Sequence, residues 1–271
     1  MSHFLEMDRI RKVFAEAGHS GILVIDDVSI NVERGEFVVF LGPSGCGKST
    51  LMRMVGGLDF PSSGEIRLEG AAVIGPSRQR GMVFQSYSSF PWLKVLDNIR
   101  FGLKFRAELS PAEKDRIALH YLEMVGLGGF GDFYVNRISG GMRQRLAIAR
   151  TLAAGPDVLL MDEPFGALDA QNREFLQIQL REICAKERKT VVFVTHDVEE
   201  AVFLADRIFV FSARPATILE EVVVRDLLPA DRDLALRESE VFFKLRNRIL
   251  AMTRSQMLRS EQIGLGAAQA G

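Results

Sequence analysis

The sequence predicts an α/β fold built on a largely parallel sheet. Three observations carry that reading. Apolar periodicity alternates between strand-like and helix-like segments along much of the 271 residues. Several strand candidates are short, continuous apolar runs with polar punctuation, the pattern of strands covered on both faces. A glycine-rich loop joins one such run to a helical segment early in the chain.

Taken in order, residues 28–32 alternate apolar and polar side chains as a strand does, and Glu33-Arg34-Gly35 reads as a turn. Residues 36–41 form a compact β-rich run, and Lys48–Val55 reads as a helix. Between Gln85 and about Leu152 the texture changes. Helical spacing through Ile117, Tyr121, Leu122, Met124 and Val125 predicts a helix over 112–125, with Ser110-Pro111 as cap and first turn and Gly126 as its stop. Residues 86–155 are therefore expected to form a helical insertion. Buried strands are expected at 158–161, Thr190–Thr195 and 208–211. Beyond Arg225 the strand pattern fades. Val241, Phe242, Leu245 and Ile249 share one helical face, so a helix is expected over 238–256, followed by a disordered tail over 264–271. The expected organisation is one domain over 5–225 and a short extension over 226–271.

Composition narrows the function classes. Hydrophobic residues make up 47% and charged residues 25%, enough for a substantial core. The formal charge of −1 gives no global field for nucleic acid or a membrane surface. Cys46 and Cys184 can build neither a disulfide framework nor a metal site by spacing, and a reducing compartment is expected. The opening MSHFLEMDRI carries charges where a signal peptide needs its apolar core. No run approaches the roughly 18 apolar residues of a membrane span.

The sharpest local signal is Gly42-Pro43-Ser44-Gly45-Cys46-Gly47-Lys48-Ser49-Thr50, a complete GxxxxGK[ST] between strand and helix. Glycines let backbone N–H groups wrap an anion, and the helix start adds the positive end of its dipole. Lys48 brings a mobile charge for β- and γ-phosphates, and the Ser49 hydroxyl is a ligand for Mg²⁺. Chance would place this pattern in such a chain only about one time in a hundred. The run 158–161 ends in Asp162-Glu163. An apolar strand delivering a carboxylate at its end is what a Mg²⁺ site needs, and Glu163 is placed to act as base on an attacking water. Paired acids at a strand end are more often a solvated turn, but beside a phosphate loop the functional reading dominates.

Further motifs make a resemblance specific. Ile138-Ser139-Gly140-Gly141-Met142-Arg143-Gln144-Arg145 resembles the signature of ATP-binding cassette (ABC) ATPases, with Ile138 where leucine is usual. Gln85, after Gly81-Met82-Val83-Phe84, resembles the family's Q-loop glutamine; Ala167-Leu168-Asp169 resembles its D-loop; His196 resembles its switch histidine. Phe14 matches the aromatic that stacks on adenine, although an aromatic here is more often core. The resemblance covers about residues 5–225. It implies a P-loop NTPase fold of ABC type, with a mostly parallel core sheet, an N-terminal antiparallel β portion and a helical subdomain. It also implies ATP and Mg²⁺ as ligands. Lys48 and the amides of the loop from Gly42 to Thr50 would bind phosphates, and Ser49, Gln85 and Asp162 would surround Mg²⁺. Glu163 would polarise water and His196 would contact the γ-phosphate. Ser139, Gly140 and Gly141 would cap the γ-phosphate held by a second copy, in a head-to-tail homodimer.

Phe90-Pro91-Trp92, the segment from Pro164 to Ala170, and Ser212-Ala213-Arg214-Pro215 look like the nitrate/sulfonate/taurine group of bacterial importers. That resemblance implies permease subunits as partners, with Trp92 either on the permease-facing surface or in the helical core. An extracytoplasmic solute-binding protein would belong to the complex without touching this chain. The expected place is the cytoplasmic face of the inner membrane, peripherally. The rival expectations are a soluble ABC-type ATPase acting on nucleic acid or ribosomes, and a nucleotide-gated module that hardly hydrolyses. The near-neutral charge and single P-loop count against the first, and Glu163 with His196 against the second.

Overall fold

The computed structural model describes residues 3–16, 19–86 and 89–269; the side chains of 16, 19, 20, 255 and 257–269 lie outside the description. The chain divides into two compact units, Met1–Ser77 with Thr190–Gly271, and Arg78–Lys189.

The first unit holds two sheets. Strands β1 (Leu5–Glu16), β2 (His19–Val32), β4 (Ser63–Leu68) and β5 (Ala71–Ala72) form an antiparallel sheet in the order β2–β1–β4–β5. In the other sheet, β3 (Phe37–Leu41) runs parallel to β8 (Thr190–Thr195) on one side and β9 (Arg207–Phe211) on the other. Strand β10 (Ile218–Val223) closes the edge antiparallel to β9. Every residue of β3 and β8 is buried, which is why both read as unbroken apolar runs rather than alternating ones. Helix α1 (Lys48–Val55) follows β3, α6 (Val198–Leu204) follows β8, and α7 (Glu240–Gln269) packs on α6.

In the second unit, β6 (Arg80–Val83) and β7 (Val158–Asp162) pair in parallel. Around them lie α2 (Val95–Gly102), α3 (Pro111–Met124), α4 (Gly140–Ala153) and α5 (Ala170–Glu187). Helix α3 starts as its sequence predicts. Ser110 Oγ accepts the Glu113 N–H at 3.3 Å while the Glu113 carboxylate accepts the Ser110 N–H at 2.8 Å, a reciprocal capping box with Pro111 in the first turn.

The bounds of the units and of the last helix differ from those expected. The second unit is wider than the insertion expected over 86–155, because β6, β7 and α5 cluster with the helices. The segment after Arg225 carries the helix α7, which clusters with the first unit and buries Phe242, Leu245 and Ile249. It also runs to Gln269, past the expected end at 256 and into the stretch 264–271 expected to be disordered; residues 270–271 lie outside the description.

Candidate functional site

In the first unit, register aligns the sequence motifs. Leu41 on β3 pairs with Thr195 on β8 and Val210 on β9. Gly42, His196 and the segment after Phe211 therefore leave three adjacent parallel strands at the same end, where open α/β sheets carry their ligands. The loop passes so close to β9 that a Cβ on Gly42 would lie 3.0 Å from the Phe211 carbonyl oxygen. Gly45 and Gly47 take φ of +72 and +126, conformations that side-chain-bearing residues rarely adopt.

Gly47 is the N-cap of α1, so no side chain caps the helix, and no acidic residue stands in its first turn. No N-cap side chain and no first-turn carboxylate therefore competes with an anion at this helix start. Lys48 is only 4% exposed, and its Nζ donates to the carbonyls of Gly42 at 2.8 Å and Pro43 at 2.7 Å. The ammonium is thus held across the mouth of the loop. Cys46 is buried, 3.7 Å from Lys48 Nζ, in keeping with a small packing residue. Ser44 is exposed, and Ser49 and Thr50 are half-buried.

His196 is exposed at the end of β8, ahead of a well-fixed turn in which Asp197 Oδ1 accepts the N–H groups of Glu199 and Glu200. Phe14 is 42% exposed, with Lys12 Nζ 4.8 Å from its ring centroid, whereas Phe4 is buried beneath Arg34. Phe14 pairs with Ile22 on β2, two residues before Val24, whose side chain would meet a Cβ on Gly47. The core alternative for Phe14 does not hold; an exposed ring near the phosphate loop is available for stacking.

The second unit repeats the logic. Val83 pairs with Met161, so Gln85 and the Asp162-Glu163 pair leave neighbouring parallel strands together. Asp162 is buried, and Gln85 Nε2 donates to Glu163 Oε2 at 3.1 Å. With its amide nitrogen so used, Gln85 has its amide oxygen left for a cation. Glu163 has φ +45, although it precedes Pro164 and bears a side chain. Backbone strain at this carboxylate marks it as a residue held in place by its surroundings.

Ser139 caps α4, its Oγ accepting the Met142 N–H at 3.2 Å, while Ile138 is buried. A Cβ on Gly141 would lie 3.2 Å from Leu168 Cδ2, so the signature glycine fits directly against the Ala167-Leu168-Asp169 segment. Asp169 caps α5; the Asn172 backbone amide, then its side chain, hold the Asp169 carboxyl below the usual carboxylate range. Trp92 is 69% exposed, which removes the core alternative for it. Its loop is held by Asn98, fully buried, which bonds to the N–H and carbonyl of Phe90 and the carbonyl of Lys94.

Sequence reasoning did not find the bond from Arg214 to the phosphate loop, Nη2 to the Gly45 carbonyl at 3.2 Å. No local pattern could have disclosed it, because the partners are 169 residues apart.

In the first unit, the loop amides and the Lys48 ammonium suit a polyphosphate, and the Ser49 hydroxyl is a hard ligand of the kind Mg²⁺ takes. In the second unit, the Gln85 amide oxygen and the Asp162 carboxylate are hard ligands of the same kind. Among the described residues no cluster of three or more His, Cys, Asp or Glu forms a dedicated metal cage. Mg²⁺ is typically held in that way, by one or two carboxylates plus substrate phosphates.

Comparison with known proteins gives the same direction. The model of the family described as ABC transporter matches residues 25–166. An uncharacterized ABC transporter ATP-binding protein of Methanocaldococcus jannaschii is 45% identical over 94% of this chain and 93% of its own length. The nitrate import ATP-binding protein NrtD of Synechocystis sp. is 43% identical over 93% of this chain and 96% of its own. Among solved structures, the dimeric ATP-binding cassette MJ0796, bound to ADP and Pi in a post-hydrolysis state, is 33% identical with a TM-score of 0.74, covering 82% of this chain and 99% of that one.

Proposed function

From the premise that this chain belongs to the ABC transporter family, as an ATP-hydrolysing subunit that energises an importer, we propose that the solute is nitrate or a related small anion. The observation that carries the ATPase reading is the uncapped start of α1 behind two left-handed glycines, with Lys48 pinned across it.

On this reading the amides of Gly42, Pro43's successor Ser44, Gly45, Cys46, Gly47, Lys48, Ser49 and Thr50, with the Lys48 ammonium, grip the phosphates, and Phe14 supports the adenine. By the family resemblance, Ser49, Gln85 and Asp162 would hold Mg²⁺, which would supply charge neutralisation on the transferred phosphoryl group. Glu163 accepts a proton from the attacking water, and its Gln85 contact fixes the carboxylate's orientation. His196 donates to the γ-phosphate. Ser139, Gly140 and Gly141 serve the γ-phosphate of the second copy: the Ser139 hydroxyl, already accepting from Met142, still has its own proton to donate.

No described helix is long and apolar enough to cross a membrane. Membrane association runs through permease subunits, on the cytoplasmic face, and the exposed Trp92 beside Phe90 is the surface that receives them. The solute-binding protein acts from the other side without touching this chain.

Glu163→Gln tests the chemistry. Turnover is expected to fall by about 10²–10⁴-fold, with ATP binding retained and a longer-lived ATP-bound dimer on size-exclusion chromatography. Unchanged turnover removes Glu163 from the role of base. Cargo is tested in proteoliposomes holding permease and binding protein: nitrate should stimulate ATPase activity. Stimulation by taurine or another sulfonate but not by nitrate would reassign the cargo.

A further inference from the structure

The segment carrying Arg214 is fixed on three sides, all within the first unit. Ser212 Oγ donates within its own turn, toward the carbonyls of Ala213 (2.8 Å) and Pro215 (2.9 Å), and accepts the Thr217 N–H at 2.9 Å. Ala216 bonds through its N–H to the Val24 carbonyl at 2.8 Å and through its carbonyl to the Asp26 N–H at 3.0 Å. The buried Gln256 on α7 accepts the Ala213 N–H through Oε1 at 3.3 Å. A turn so anchored delivers one guanidinium to one atom, the Gly45 carbonyl oxygen.

That carbonyl belongs to the Gly45–Cys46 peptide. In a trans peptide the C=O and the N–H point to opposite sides of the chain. Holding the Gly45 oxygen outward therefore holds the Cys46 N–H on the opposite side. Gly45 is also where this plane is freest to turn over: its φ is +72 and a Cβ there would meet nothing within 4 Å. The loop's most permissive residue is thus the one that receives a charged clamp from a distant strand end.

We propose that Arg214 is a positioning residue of the nucleotide site, locking the Gly45–Cys46 peptide so that the Cys46 N–H is presented to the phosphates, with α7 steadying the lock through Gln256. The inference rests on the reading of residues 42–50 as the phosphate loop. It assigns a task to the Arg-Pro segment and to the C-terminal helix beyond those proposed above. Arg214 acts through the loop and transfers no proton.

The test uses the full-length chain, with a fluorescent ADP analogue for affinity and steady-state ATP hydrolysis for kinetics. Arg214→Ala should weaken ADP binding about 5–10-fold and raise KM for ATP to match, with kcat within about twofold and the melting temperature unchanged. Arg214→Lys, which keeps a charged donor, should recover most of the loss; Gln256→Leu should reproduce a smaller part of it. In ¹⁵N-labelled protein the Cys46 amide resonance should broaden or shift in Arg214→Ala. Wild-type affinity in Arg214→Ala overturns the lock while leaving the phosphate loop intact. A loss that tracks a lower melting temperature and is not recovered by lysine overturns it as well. A wild-type chain that binds no ADP overturns the phosphate-loop reading itself, and the lock with it.

Discussion

Helices α1 and α4 both begin in glycine-rich turns, yet they finish their N-termini in opposite ways. Helix α1 starts at Gly47, which has no side chain to offer its first N–H groups. Helix α4 starts at Ser139, whose hydroxyl already accepts the Met142 N–H. A helix start without a side-chain cap can be completed by an external anion; one with a capping hydroxyl is stable alone and keeps that hydroxyl's proton to donate. The difference teaches a division of labour. On the reading proposed above, the first turn would bind nucleotide within one chain, and the second would recognise a phosphate that another copy brings.

Lys48→Ala cuts deepest into that comparison. Removing the ammonium that spans the Gly42 and Pro43 carbonyls should lower nucleotide affinity at least about 100-fold, since charge-assisted contacts to phosphate are among the strongest available. Titration with fluorescent ADP measures it, and near-normal affinity would break the claim that this turn is the principal anion site. Ser139→Ala should act differently in kind. The isolated chain should keep its affinity for ADP, while ATP-induced dimerisation of the Glu163→Gln background weakens about tenfold or more. Loss of the cap should also cost about 1 kcal/mol of stability in chemical denaturation. If ADP affinity fell with dimerisation, the two turns would not divide the work as described.

Local rules made some of this visible in advance. Lys48–Val55 and Thr190–Thr195 have the bounds their patterns predict, because one follows a complete motif and the other is buried throughout. Ser110 and Pro111 are legible as cap and first turn of α3, a local signal that needs no tertiary information, and the structure adds Glu113 as the other half of a capping box. Strand β1 was not legible. Its pairing with β2 is broken by register shifts that interrupt the two-residue alternation, and charged residues recur along it. Helix α5 was missed because its buried residues, Leu176, Gln177, Leu180 and Cys184, include a polar one, while the apolar Phe175 is exposed and blurs the helical stripe. Sequence left Trp92 and Phe14 each with a core reading beside a functional one, and three-dimensional exposure removes the core reading for both. The Arg214–Gly45 bond and the backbone twist at Glu163 are tertiary facts with no local signature.

That twist bears on selection. A side-chain-bearing residue in the left-handed region costs roughly 1 kcal/mol or more relative to glycine, and Glu163 sits there at φ +45. Glu163→Gly should therefore raise the melting temperature, by about 2 °C for a chain of this size, while hydrolysis collapses. A laboratory screen for thermostability would drift toward an inactive protein at this position, and only a demand for turnover would keep the glutamate. An unchanged or lower melting temperature would mean that the Gln85 contact and the packing around β7 fully offset the strained backbone.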